Sequence, residues 1–438
     1  MKTVLILACL GLAAGLADGQ AEKRIIKSGQ NQVDLEVDGR SIRRRIGEAG
    51  KLNVFELDVP DGKSRTVKYT SDLESFGFSL KPGEAYDFTI EKDGIAFRQQ
   101  VIGIRLDPDL LKIKRFLLGE NDDVVTKLHG PVLDLDGGSK NFDGIQPMIN
   151  KVRGCANCPP RIDIVVISAT TFDVTNPFSS SSALNRNRKR TAEFYTTPIS
   201  KMEGADSVEL LYFTDPADAN GEEAARTIES AEIVFIAGGS QCDYLKAFRG
   251  TRVEKAIEAV YKRGGGIGGS SAGQAVLGDF IFDGCNVTTM ALTSEIALAD
   301  PYDSNISFSR DLFNWKFLKN TITDQHVVER DRIGRTFAFV ARQLQDGKAK
   351  MVHAIAVDQG TSVVVDRGGI ATVVGTGNSY FITGDHKPEV CEKGKPLTYS
   401  NFKVWRVKSG EAFNLKKRPK TGYYAVSVTE GKLSRDPY

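Results

Sequence analysis

Arg263-Gly264-Gly265-Gly266-Ile267-Gly268-Gly269-Ser270-Ser271-Ala272-Gly273 is the stretch on which the reading of the fold turns. It closes in Gly-x-Ser-x-Gly centred on Ser271, the pattern of a serine held on a sharp strand-to-helix turn. Glycines two residues before and two after such a serine remove side chains that would collide there. Upstream, Thr251-Arg252-Val253-Glu254 has capping-box spacing. It opens an amphipathic stretch with Val253, Ile257 and Val260 on one face, which stops at the glycines. Downstream, Ala272 to Leu277 is small and apolar, as a helix buried behind the serine would be. Strand, turn and helix in that order suit a nucleophile; a glycine-rich structural turn is the plain alternative.

Working outward, the segments before the elbow are short, β-branched and mostly apolar: Val132 to Asp136, Ile162 to Ser168, Val208 to Phe213 and Ile233 to Ala237. Such runs are buried parallel strands when helices alternate with them. Ile145 to Val152 and Asn220 to Ser230 read as those helices, the second opened by an Asn220-x-x-Glu223 cap. A doubly wound α/β sheet with a mostly parallel core is therefore expected, with its active site beyond the carboxyl ends of the strands. Two of those ends are glycine pairs, Gly137-Gly138 and Gly238-Gly239. After about Met351 strands return: Ile355 to Val365, Ala371 to Val374 and Tyr423 to Val428, placed to extend the sheet or cap one edge.

The N-terminal part differs. Alternating segments at Val33 to Val37, Leu52 to Val59, Thr66 to Tyr69 and Tyr86 to Ile90, separated by Asp-Gly and Pro-Gly turns, predict a small all-β accessory domain over residues 20–118. Leu110 to Gly119 reads as its connection to an α/β domain over 119–438. Met1 to Gly19, with Lys2 and an apolar run from Val4 to Leu16, has the form of a cleavable signal peptide, which implies secretion or a periplasmic location.

The chain has 438 residues and a formal net charge of +2, so no overall field draws it to nucleic acid or an anionic membrane. The clusters Arg43 to Arg45 and Arg186 to Arg190 read as solvated loops, and no later apolar run is long enough to span a bilayer. Removing Cys9 with the leader leaves Cys155, Cys158, Cys242, Cys285 and Cys391, an odd number for a compartment that permits disulfides. One thiol is expected to stay free or to pair between chains, and Cys155-Ala-Asn-Cys158 to close a local disulfide loop. The sequence leaves room for a homodimer.

A serine nucleophile needs a base, and only His129, His326, His353 and His386 are present. His326 follows the alternating segment Thr321 to Gln325 and precedes Arg330, Arg332 and Arg335, so it would emerge at a strand end in a charged cleft. The others suit surface or packing roles. The oxyanion of a tetrahedral intermediate needs converging backbone donors: the Ala272 amide is one, and the Gly238-Gly239-Ser240-Gln241 turn is placed to supply a second.

Gly268 to Gly273, Gly238-Gly239-Ser240-Gln241 and Asp324-Gln325-His326-x-x-x-Arg330-x-Arg332-x-x-Arg335 together resemble the cyanophycinase-like serine peptidases, relatives of aspartyl dipeptidases. Thr293-Ser294-Glu295 to Pro301-Tyr302 and Pro388 to Cys391 add to the resemblance, which runs from about Pro131 to near the C-terminus. It implies a fold like class I glutamine amidotransferases, with serine in place of the cysteine nucleophile. It also implies hydrolysis of cyanophycin, a poly-aspartate carrying arginine on each β-carboxyl, to β-Asp-Arg dipeptides, with no metal or organic cofactor. Carried over by position, Ser271 is the nucleophile, His326 the base, and Gly239 and Ala272 the oxyanion hole. Gln241, Asp324, Gln325, Arg330, Arg332 and Arg335 line or brace the pocket; guanidinium forks bind carboxylates, while carboxylates and amides would receive the substrate's arginine.

One position departs from the family. The stretch Ala356-Val357-Asp358-Gln359-Gly360-Thr361 carries Gln359 where the family has the triad glutamate. A neutral amide orients the imidazole but does not compensate the charge it gains. Three readings follow: a slow hydrolase with Gln359 orienting His326; a hydrolase in which Asp358 or Glu295 replaces the acid; and a protein that binds acidic or arginine-rich peptide without cutting it. Another aspartyl or isoaspartyl peptidase, or an esterase, would use the same elbow.

Overall fold

The computed structural model describes residues 24–105, 112, 114–120, 122, 126–138, 140–159, 161–170, 181–287 and 292–438. The leader expected over Met1 to Gly19 lies outside them. The described residues fall into two compact units, one ending at Arg105 and the other carrying the rest of the chain from Lys112, apart from Ser181.

The first unit is all β: two four-stranded sheets, one formed by Arg24–Lys27, Ala85–Lys92, Ile95–Arg105 and Leu52–Val59, the other by Arg40–Arg45, Gln32–Val37, Arg65–Thr70 and Ser75–Leu80. Their inward positions, including Leu35, Val37, Leu57, Val67, Ile90 and Val101, form one apolar core with Tyr69, Phe76 and Phe88. The Arg43 to Arg45 run is not a loop but part of the strand Arg40–Arg45, where alternation leaves Arg43 to pair with Asp34 and Arg44 to cover Phe55.

The second unit is mixed α/β with two sheets. In the nine-stranded sheet the central five strands, Val132–Asp136, Gly266–Ser270, Ile233–Ile236, Ile162–Ala169 and Ala205–Phe213, are parallel. Their side chains are almost continuously buried, as strands covered on both faces must be. Antiparallel strands close both flanks, so the sheet is parallel only at its centre. One flank is Lys114–Leu118, which pairs with Ala205–Phe213. The stretch read as a connection is thus an edge strand of this sheet, and the boundary expected at 118 falls before it. Along this strand Arg115 pairs in register with Leu211 and its side chain binds Glu209 and Glu223.

The apparent single segment Ile355 to Val365 is two strands in two sheets. Val352–Val357 lies in an eight-stranded sheet beside Thr321–Gln325, whereas Thr361–Val365 joins the nine-stranded one next to Val132–Asp136. The turn Asp358-Gln359-Gly360, with Gly360 at φ 71°, makes the crossing. A run of apolar residues gives no signal of which sheet each half joins.

The helix Arg252–Lys262 forms as the sequence requires. Thr251 accepts from the Glu254 amide, a contact worth about 1 kcal/mol, and Val253, Ile257 and Val260 are fully buried, about 2 kcal/mol each. Glu254 takes the Gly250 amide, so the box is closed one residue early. The cap expected at Asn220 is absent: Gly221 is the N-cap of Glu222–Ser230, and Asn220 instead accepts from the amide of Arg252 at the start of the helix Arg252–Lys262. The helix expected from Ala272 to Leu277 is only Ala272–Ala275, because the chain must turn again before the strand Phe280–Phe282. The Arg186 to Arg190 run lies on the helix Ser181–Ile199, with Arg188 buried against Thr214.

Cys155 pairs with Cys158 and Cys242 with Cys285, leaving Cys391 free and buried. None of the described helices is long and apolar enough to cross a membrane.

Candidate active site

Ser271 stands at the end of the parallel strand Gly266–Ser270 with φ 53° and ψ −113°, a conformation that costs roughly 1–3 kcal/mol for a residue with a side chain. What holds it there is close packing. A Cβ on Gly269 would run into the Gly273 backbone, and one on Gly273 into the Ile236 carbonyl, so the turn closes only with glycine on both sides. The Ser271 amide donates to Asp136 O at 2.9 Å, and its carbonyl accepts from the Ala275 amide at 3.0 Å.

His326 follows the strand Thr321–Gln325, also at positive φ (52°). Its amide donates to Gly137 O at 3.1 Å, and its ring lies against Gly138, where any Cβ would collide with the imidazole. The end of the strand Val132–Asp136, running into Gly137-Gly138, therefore brings the expected base and nucleophile together: Ser271 Oγ lies 2.8 Å from His326 Nε2. On the other side His326 Nδ1 lies 3.1 Å from Gln359 Oε1. With the amide oxygen accepting at Nδ1–H, Nε2 is left as the acceptor facing the serine, the tautomer a general base requires. Burial, then the nearby Arg330 charge, lowers the His326 pKa to about 4, and the hydrogen bond the ring makes to Gln359 opposes this only in part. The imidazole is neutral at neutral pH.

Neither substitute acid reaches the histidine. Asp358 points to the opposite side of the chain and accepts from the Asn378 amide at 2.9 Å, as alternation along an extended backbone dictates. Glu295 is exposed in the first turn of the helix Ser294–Ala299. Glu329 takes the Gln359 backbone amide at 3.0 Å and so fixes that residue rather than the ring.

Beside Ser271 opens a cleft of about 330 Å³, whose lining includes Gly239, Ser240, Gln241, Ala272 and Gln325 together with Arg330, Arg332 and Arg335. Gln241 begins the helix Gln241–Phe248, whose N-cap Ser240 accepts from the Asp243 amide. Among the described hydrogen bonds none engages the Gly239 or Ala272 amides. Both border the cleft, where an oxyanion would need donors.

The arginines divide. Arg335 forms a two-pronged pair with the fully buried Asp324, which also accepts from Thr336, and burial is outweighed there so that the Asp324 pKa stays low. Asp324 is consequently a brace and not part of the lining, a correction to the expectation that it receives substrate. The pair is 11 residues apart in sequence and braces the strand Thr321–Gln325 against the helix Ile333–Gln345. Arg332 differs: only 6% exposed, it donates to Gln325 O at 3.1 Å, and its Nε, like Gln325 Oε1, has no partner. Burial, then Arg335, pushes its pKa down to about 9. Arg330 is exposed at the rim. No carboxylate lines the cleft among the described residues.

Residues 200–373 match the model of peptidase family S51. That match, which spans Ser271, His326 and Gln359, bears out the resemblance to cyanophycinase-like peptidases. Two curated relatives, the cyanophycinases of Trichormus variabilis and Nostoc sp., are each 26% identical over 222 residues, 49% of this chain and 67% of theirs. Among solved structures, a peptidase from an acI-B1 actinobacterium aligns with TM-score 0.42 at 14% identity, covering 66% of this chain and 98% of that one. A putative peptidase E from Listeria monocytogenes aligns with TM-score 0.32 at 12% identity, covering 56% and 98%.

Of the remaining histidines, His353 is half-buried against Thr383, its pKa pushed down to about 3 by burial; His386 pairs with Asp385, and His129 lies against Gly154. Sequence reasoning did not find Tyr195 and Tyr244, which bind the Gly238 turn, or Glu329. No motif marks them, since they reach the site from separate helices and loops. Among the described residues no group of three or more potential ligands is placed to hold a metal.

Proposed function

We propose that this peptidase cleaves amide bonds at aspartyl residues through an acyl-enzyme on Ser271, with cyanophycin as the polymeric substrate. The observation that carries the reading is the 2.8 Å contact between Ser271 Oγ and His326 Nε2 at the mouth of the cleft. In the first step the serine oxygen bonds to the carbonyl carbon, its proton passes to His326 Nε2, and the carbonyl π pair moves onto the oxygen facing the Gly239 and Ala272 amides. Collapse expels the amine, which takes the proton from His326; water then repeats the sequence and frees the acid. The substrate's acidic group is supported by Arg332, a buried cation whose Nε lacks a partner, and by Arg330 at the rim. Recognition of the arginine side chain finds no carboxylate in the described lining, so aspartate is the residue this cleft suits. The amidotransferase-like fold, and secretion, belong to the same proposal; the two disulfides suit an oxidising compartment.

A serine-directed phosphonofluoridate should label Ser271, and Ser271→Ala should abolish both labelling and hydrolysis while melting like the wild type. Release of β-Asp-Arg from cyanophycin faster than cleavage of Asp-X dipeptides supports the polymer; the reverse ranking supports an aspartyl dipeptidase. A second reading, a peptide-binding protein without turnover, is favoured by the amide at Gln359. It replaces the first if the wild type retains cyanophycin but releases product no faster than Ser271→Ala.

A further inference from the structure

The turn Ala237-Gly238-Gly239 is held by two tyrosines from different helices. Tyr195, 5% exposed on Ser181–Ile199, accepts from the Gly238 amide at 2.6 Å. Tyr244, fully buried on Gln241–Phe248, donates toward Ala237 O at 2.7 Å, and Gly238 O lies 3.2 Å from the same hydroxyl. The Ala237 amide is taken by Ile167 O. Every backbone polar atom of Ala237 and Gly238 is thereby engaged, while no described hydrogen bond takes the next amide, Gly239 N–H, on the cleft wall. The Tyr195 ring is fixed in turn by Phe142, 5.1 Å away, and Phe235, 6.1 Å away.

Two consecutive amides at a strand end compete for the role of oxyanion donor, and only one orientation of the Gly238 peptide is compatible with its bond to Tyr195. We propose that Tyr195 is a positioning residue of the oxyanion site: by accepting the Gly238 amide proton it turns that donor away from the substrate and leaves Gly239 N–H to face the carbonyl oxygen. Tyr244 holds the carbonyl side of the same peptide. Tyr195 touches neither substrate nor reacting atom; it acts through the turn. The inference rests on the hydrolase reading above and adds to it which amide is selected and by what.

The test is Tyr195→Phe, which removes one oxygen from a buried ring, assayed with aspartyl p-nitroanilide. Losing the alignment of one oxyanion donor predicts a fall of about 10²-fold in kcat with KM little changed. An aspartyl aldehyde adds the diagnostic: Ser271 Oγ bonds to its carbon, the proton goes to His326, and the new oxyanion lies in the same donors. Its affinity should fall by the same factor as kcat, whereas affinity for free aspartate, a ground-state product, stays put. Tyr244→Phe should give the same pattern, and it serves if Tyr195→Phe does not fold. Wild-type kcat and aldehyde affinity in a folded Tyr195→Phe overturn the inference while the hydrolase reading stands. Equal weakening of aldehyde and aspartate overturns it too, since that marks general loosening of the cleft. A wild type that turns over no amide and takes no serine label overturns the hydrolase reading and this inference with it.

Discussion

Replacing Gln359 by glutamate restores a charge next to His326 without changing the length of the side chain, and its effect is calculable. A carboxylate at the 3.1 Å position of Gln359 Oε1 favours the imidazolium. Opposite charges at such range shift a pKa by about 1–3 units, but position 359 is solvent-exposed and Glu329 already sits on its backbone amide. Screening and like-charge repulsion reduce the expected shift to about 1–2 units, or roughly 1.4–2.7 kcal/mol. The same stabilisation acts on the imidazolium that forms as Ser271 attacks, so kcat should rise about 10- to 100-fold. The sign for pH follows from the base being active only when neutral. In the wild type His326, with its pKa lowered to about 4, stays neutral down to that pH, so the acid limb of kcat/KM lies near pH 4. In Gln359→Glu the limb should move up by about 1–2 units. The variant is then faster at pH 8 and loses that advantage toward pH 5. Initial rates on aspartyl p-nitroanilide from pH 3.5 to 9 measure both. A wild-type limb near the ordinary histidine value, or a variant with unchanged rate and limb, would refute a His326 held neutral by burial and oriented by Gln359.

Two further predictions concern the frame around the site. The Cys242–Cys285 disulfide joins the helix that begins at Gln241 to the segment carrying Gly284 and Val287 of the cleft wall, across 43 residues of sequence. Cys285→Ser should lower stability by about 3–4 kcal/mol and raise KM more than it lowers kcat, read by urea denaturation and steady-state kinetics; unchanged KM would show that the wall holds without it. His326 and His353 are both held neutral, with pKa values lowered to about 4 and about 3, so the unfolded chain binds two more protons once the pH falls below about 6.5. Their contribution is full above that pH and is lost on descending through about 4 and 3, on the order of a few kcal/mol by pH 4. His353→Gln, away from the cleft, should flatten the urea midpoint between pH 7 and 4; an unaltered slope would remove His353 from the explanation.

The sequence by itself determined the local pieces. Gly269 and Gly273 around Ser271, the Thr251 cap and the β-branched runs are legible because each is dictated by sterics or periodicity among residues near in the chain. The choice of His326 was legible too, from four candidates and the character of its flanks. What only the tertiary structure decided are relations between distant residues: that Asp324 is bound to Arg335 and withdrawn from the cleft, that Arg332 is buried with an unpartnered Nε, that Tyr195 takes the Gly238 amide, and that Lys114–Leu118 belongs to the large sheet. The crossing of Val352–Val357 and Thr361–Val365 between sheets, which brings Gln359 to His326, belongs with these. A hydrogen bond or ion pair across tens of residues depends on how strands are ordered and on which face each side chain takes, and neither leaves a mark at any fixed spacing in the sequence.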